Sequence, residues 1–165
     1  MVARNEVESQ RTTVRKTSER EVMVTRTFDA PARLVFEAWV RPELFRRWWV
    51  PRSLGMTLRS CDLDVRTGGE YRLVFGDDPA HAMAFFGKYL EVVPNERIVW
   101  TNEEGGEVGS ITTVTFEERD GKTLLVLTER YPTKQALDEA GTGAQDAMHE
   151  TFAQLDGLLV ELAAA

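Results

Sequence analysis

The hydrophobic pattern along the chain changes character several times. Residues 1–19 offer only Met1, Val2, Ala3, Val7 and Val14 as isolated apolar side chains. That is too little burial to offset the entropy of ordering, so the stretch reads as a mobile tail. From Glu21 to Phe28 the residues are β-prone and alternate, with Val22, Val24 and Arg26 on one face and Met23, Thr25 and Thr27 on the other. Asp29 then offers a helix cap and Pro31 a first-turn residue, and Leu34, Val35, Ala38 and Trp39 recur at helical spacing up to Arg41-Pro42. A second short helix is predicted over Glu43–Trp49, stopped by Pro51 because proline disfavours helical geometry in the preceding residue.

Beyond Gly55 the two-residue period dominates. Six more strands are predicted at Met56–Arg66, Glu70–Phe75, Met83–Val93, Arg97–Asn102, Ser110–Glu118 and Thr123–Arg130, separated by turn-forming Gly, Pro, Asn and Asp. After Pro132 the period becomes 3.6: Ala144, Ala147, Met148, Thr151, Phe152, Leu155, Leu158, Leu159 and Leu162 form one stripe. A one-striped helix and a half-buried antiparallel sheet each need a partner layer. The expected architecture is therefore α+β, a single domain over residues 20–165. It consists of a seven-stranded curved antiparallel sheet wrapped around a long C-terminal helix, with two short helices after strand one.

Composition narrows the function. The 165 residues, 42% apolar and 28% charged, suit one globular domain with a core that needs no disulfide or metal. A net charge of −7 and a pI near 5.0 oppose nucleic acid and anionic membrane as partners. Cys61 is alone, which rules out an intrachain disulfide and cysteine-based zinc motifs. His81 and His149 lack ligand spacing, so neither a metal nor another cofactor is expected. No 18-residue apolar run and no signal-peptide centre are present, and the cytoplasm is the expected location.

The order of elements resembles a known family. VTRTFDAPARLVFEAW, the WWVP exit, DLDVRTGGEYRLVF, FFGKYLEVVPNERIVWT and the TTVTFEERDGKTLLVLTE hairpin look like the activator of heat-shock-protein-90 ATPase C-terminal-like family, of the START-like helix-grip superfamily. The most specific pieces are Arg66, Gly68 and Gly69, and the run from Gly87 to Val99. The resemblance covers roughly residues 20–163 and implies a deep, mainly apolar cavity between sheet and helix. This chain departs from the family pattern at Thr151-Phe152, where members often carry Gly-Trp, and at Glu129, where a histidine is frequent.

Candidate site residues follow from face alternation. Tyr71, Leu73 and Phe75 share one strand face, as do Val114 with Phe116 and Ile98 with Trp100. If Leu125 and Leu127 point inward, so does Glu129, and a carboxylate on an apolar wall is costly unless paired, solvated or protonated. Trp48 and Trp49 cannot be buried in the same direction, since neighbours on a helix diverge by about 100°. One indole is expected against the short helices, the other at a pocket mouth. Phe85 and Phe86 pose the same problem on a strand, with one expected inside and the other against the short helices or a partner. The expected ligand-contacting set is Trp48, Trp49, Met56, Tyr71, Phe75, Phe85, Trp100, Val114, Phe116, Glu129, Met148, Phe152 and Leu155.

The first expectation is a binding protein for a small apolar molecule. Two alternatives stay open: a cyclase-, dehydratase- or hydrolase-like enzyme using Glu129, Tyr71 or His149, and a co-chaperone-like domain acting on a heat-shock ATPase. A homodimer through leftover aromatics is the remaining partner expectation.

Overall fold

The computed structural model of the protein describes residues 12–76 and 78–164. Its strands are β1 (Thr13–Ser18), β2 (Glu21–Phe28), β3 (Leu58–Leu63), β4 (Glu70–Phe75), β5 (Met83–Val93), β6 (Arg97–Thr101), β7 (Ile111–Arg119) and β8 (Lys122–Arg130). They form one antiparallel sheet in the order β1-β2-β8-β7-β6-β5-β4-β3. The helices are α1 (Ala32–Val40), α2 (Pro42–Phe45), α3 (Lys134–Ala140), α4 (Gly143–Asp146) and α5 (Met148–Ala164).

Among the described residues the sheet has eight strands rather than the expected seven. The extra strand, β1, falls within the stretch expected to be a mobile tail. Its side chains are largely exposed, which is why it carries no hydrophobic signal, and its pairing with β2 supplies the order instead. Thr12 is buried and accepts a hydrogen bond from Arg26 Nη1 at 2.9 Å. The rest of the expected tail, residues 1–11, lies outside the described residues.

The expected cap at Asp29 is not used. Helix α1 starts after Pro31 with no side-chain cap, and the Ala32 amide donates to Glu118 Oε1 across the fold at 2.7 Å. The C-terminal helical region is split into three, because Gly141, with φ +70°, ends α3 and Ala147 separates α4 from α5. Helix α5 is tied to the sheet by an Arg26–Asp156 ion pair from β2.

Three register shifts bend the sheet, between Lys16 and Ser18, Leu58 and Ser60, and Tyr89 and Glu91. Close backbone approach explains two glycines of the motifs that carry the family resemblance. A Cβ on Gly87 would stand 1.9 Å from the Thr101 carbonyl oxygen, and one on Gly69 the same distance from that of Asp64. The turn before β4 is in turn locked to β5 by Gly68 N–H to Tyr89 O and Tyr89 N–H to Gly69 O, both 2.8 Å.

Gly87→Ala should therefore cost about 2–4 kcal/mol in denaturant unfolding, since backbone rather than a flexible side chain must move. Gly157→Ala, in the middle of α5 with open space around it, should instead add about 0.5–1 kcal/mol. Equal effects at the two positions would contradict the close-approach explanation.

Candidate functional site

The adjacent indoles of LFRRWWVP part company where α2 ends. Trp48 is 0% exposed, its Nε1 donating to the Ala38 carbonyl at 2.9 Å. Trp49, the next residue, turns to the wall of a cavity of about 380 Å³. The loop carrying it is fastened to α5. Gln154 Nε2 donates to the carbonyls of Trp48 and Val50 at 3.0 and 2.9 Å, while its Oε1 accepts from the Arg52 amide at 2.9 Å. Glu150 accepts from the amide and hydroxyl of Ser53, which holds its carboxyl below the usual carboxylate range.

The cavity lies between the concave face of the sheet and the start of α5. Of the residues expected to contact a ligand, Trp49, Met56, Tyr71, Phe75, Phe85, Trp100, Glu129 and Met148 line it. Trp48, Val114, Phe116, Phe152 and Leu155 do not. They are buried in the adjoining core, where aromatic packing closes the space. Trp39 sits 4.8 Å from Trp48 and 6.2 Å from Phe152 between ring centroids, and Phe36 sits 5.6 Å from Phe116.

Alternation could have found several lining residues that sequence reasoning missed. Tyr89 shares a face with Phe85, Asn102 continues Ile98 and Trp100, and Thr112 precedes Val114 by two. Trp39 and Phe45 also line the cavity, from α1 and α2, and Glu104 lines it from a loop with no periodic signal. Phe86 is outside the lining, and the Arg72 guanidinium of β4 stands 5.8 Å from its ring centroid. His81 and His149 are exposed and outside the lining, and Cys61 is half-buried on β3 with its thiol pushed up to about 11 by burial.

One end of the cavity is polar. Glu129 accepts from the Ser110 hydroxyl at 2.8 Å, from the Tyr131 hydroxyl at 3.2 Å and from Gln145 Nε2. Asn102 Nδ2 donates to Ser110 Oγ at 2.9 Å and to Thr112 Oγ1 at 3.0 Å, and the Tyr71 hydroxyl, shared between the Thr101 carbonyl at 2.7 Å and Asn102 Oδ1 at 3.1 Å, closes the other end. A chain of neutral groups thus runs from Tyr71 to Glu129. Burial raises the Glu129 pKa above its ordinary value; the bonds from Ser110, Tyr131 and Gln145 oppose the rise, and the nearby Glu104 carboxyl adds to it. Burial also raises the phenol of Tyr71, and that of Tyr131 to about 12, so both remain protonated donors at neutral pH. Trp39 Nε1, Thr151 Oγ1 and Gln145 Oε1 are buried with no partner among the described residues. Among the described residues no group of three or more His, Cys, Asp or Glu side chains could hold a metal ion.

The family model for activator of Hsp90 ATPase homolog 1-like proteins matches residues 29–160. The chain belongs to this family. Solved structures agree on the helix-grip fold. A crystal structure of a Rhodobacter sphaeroides protein is 24% identical with a TM-score of 0.78, covering 93% of this chain and 98% of its own. A solution structure of a Staphylococcus epidermidis protein is 27% identical with a TM-score of 0.73, covering 90% and 94%. The AHSA1-like protein from Aeromonas hydrophila is 18% identical with a TM-score of 0.66, covering 82% and 94%. No curated protein matches the sequence. None of the described helices is long and apolar enough to cross a membrane.

The raised Glu129 pKa fixes the sign of a pH effect. The folded value lies above 4.5, so ionisation costs the folded state more than the unfolded one. As pH rises from about 4.5 through the folded pKa, ligand-free protein should lose stability relative to Glu129→Gln, which carries no titrating proton there. Denaturant midpoints of both proteins across that range would show it; a constant difference would contradict the burial of the carboxyl.

Proposed function

We propose that the protein binds a small, mainly apolar molecule in the cavity between its sheet and its C-terminal helix. The observation that carries this reading is the cavity itself: aromatic and aliphatic walls surround about 380 Å³ that none of the described side chains fills, with a few convergent polar groups at one end. A tightly packed core of this size would not leave such a space, because protein interiors are filled to crystal-like density. Membership in the activator of Hsp90 ATPase homolog 1-like family is consistent with it, although one fold hosts many functions.

A second reading is favoured by Glu129. A carboxyl with a raised pKa that accepts from the protonated phenol of Tyr131 has the makings of a general acid, so the bound molecule would then be a substrate. Chemical conversion of a bound compound by the native protein, lost in Glu129→Gln, would distinguish catalyst from carrier.

Native mass spectrometry of freshly purified protein, beside its denatured mass, tests the binding reading. A defined excess mass is expected in the native spectrum, and Ala147→Phe, which places a ring in the cavity wall, should remove it. Absence of an adduct, together with failure to take up any added apolar compound, would overturn the proposal.

A further inference from the structure

The cavity has an unbalanced charge. Its lining includes two carboxyls, Glu104 and Glu129, and among the described residues no lysine, arginine or histidine. Every hydrogen bond to Glu129 comes from a neutral group: Ser110, Tyr131 and Gln145. A buried carboxylate ordinarily has a cationic partner, and here the described residues supply none within its bonding shell.

A second, independent observation points to a ligand at the same site. Thr151 lines the cavity, is 4% exposed, and has a hydroxyl with no partner among the described residues. Gln145 is 0% exposed; its amide nitrogen serves Glu129 while its Oε1, an acceptor, receives no donor. Unused acceptor capacity at Glu129 lies in its remaining carboxylate lone pairs and in Gln145 Oε1 behind it, while the cavity wall adds the Thr151 hydroxyl, which can accept or donate, and the donor Trp39 Nε1. An ammonium offers three donors and no acceptor, the complement of the carboxylate and of a hydroxyl that accepts.

The walls favour the same chemistry. Trp39, Trp49, Trp100, Phe45, Tyr71 and Tyr89 all line the cavity, and aromatic faces attract cations when water is excluded. The net charge of −7 adds long-range attraction for a cation and repulsion for an anion.

We infer that the ligand is an amphiphilic amine, an apolar body ending in a protonated nitrogen that pairs with Glu129 and, toward the opening, Glu104. The inference rests on the binding reading above and names the class of molecule the cavity takes. Glu129 and Glu104 are recognition groups, and the ligand cation replaces the solvation that Glu129 loses in the fold.

Isothermal titration with three probes of equal chain length, octylammonium, octanol and octanoate, tests it at neutral pH and low salt. Octylammonium is expected to bind at least about tenfold more tightly than octanol, and octanoate most weakly. Glu129→Gln should bring octylammonium down to the affinity of octanol. Glu104→Gln, at an exposed loop position where folding is not at stake, should remove part of the preference. Octanol binding as well as octylammonium, octanoate binding best, or a preference that survives both substitutions would overturn the amine inference while leaving the cavity reading intact. Failure of all three probes to bind would overturn the binding reading with it.

Discussion

Trp39 meets the rings of Phe45, Trp48 and Trp49 near the end of α2 and those of Trp100, Phe116 and Phe152 on the sheet and α5, with centroid separations from 4.8 to 6.4 Å. This aromatic wedge fixes the extent of the solid core. On one side of it Phe28, Phe36, Phe116, Phe152 and Leu155 fill the space between sheet and helices. On the other, the space between the first turns of α5 and the strands β3 to β8 stays open as the cavity. One straight helix cannot follow a sheet bent by three bulges along its whole length, so the void follows from the curvature and the wedge decides at which end it lies.

The polar end of the cavity obeys a different constraint. A carboxyl facing apolar walls must be neutralised, solvated or hydrogen-bonded. Glu129 is held by three neutral donors, and the network continues through Ser110 and Asn102 to Tyr71. Such a network orients the carboxyl without neutralising it. The result is a group that remains costly to ionise in the empty protein and becomes favourable when a ligand supplies the missing charge, the usual relation between a strained polar site and the molecule it selects.

Much of this was legible in the sequence, because alternation and helical spacing report faces directly. Tyr71 and Phe75 point inward from β4 as their spacing demands, and Leu125 and Leu127 set the register that turns Glu129 toward the cavity. What periodicity does not report is depth along a face. Val114, Phe116, Phe152 and Leu155 are on the predicted side, yet lie past the aromatic wedge, where packing across elements rather than local pattern decides between core and cavity wall. Strand β1 was invisible because its order comes from edge pairing with β2, and Glu104 because loop residues carry no period. Gln145, fully buried against Glu129, gave no signal either, since a glutamine beside the helical stripe reads as solvent-facing.

If the open space at the start of α5 is a ligand site, the chain's methionines report its occupancy directly. Met56, Met83 and Met148 line the cavity, whereas Met23 on β2 lies outside it, near Arg15. Methyl-labelled methionine NMR, recorded while an apolar amine is titrated in, should show saturable shifts at Met56, Met83 and Met148 with Met23 unmoved. Shifts at Met23 alone, uniform shifts at every methyl, or none at saturating probe would contradict a ligand site in this cavity.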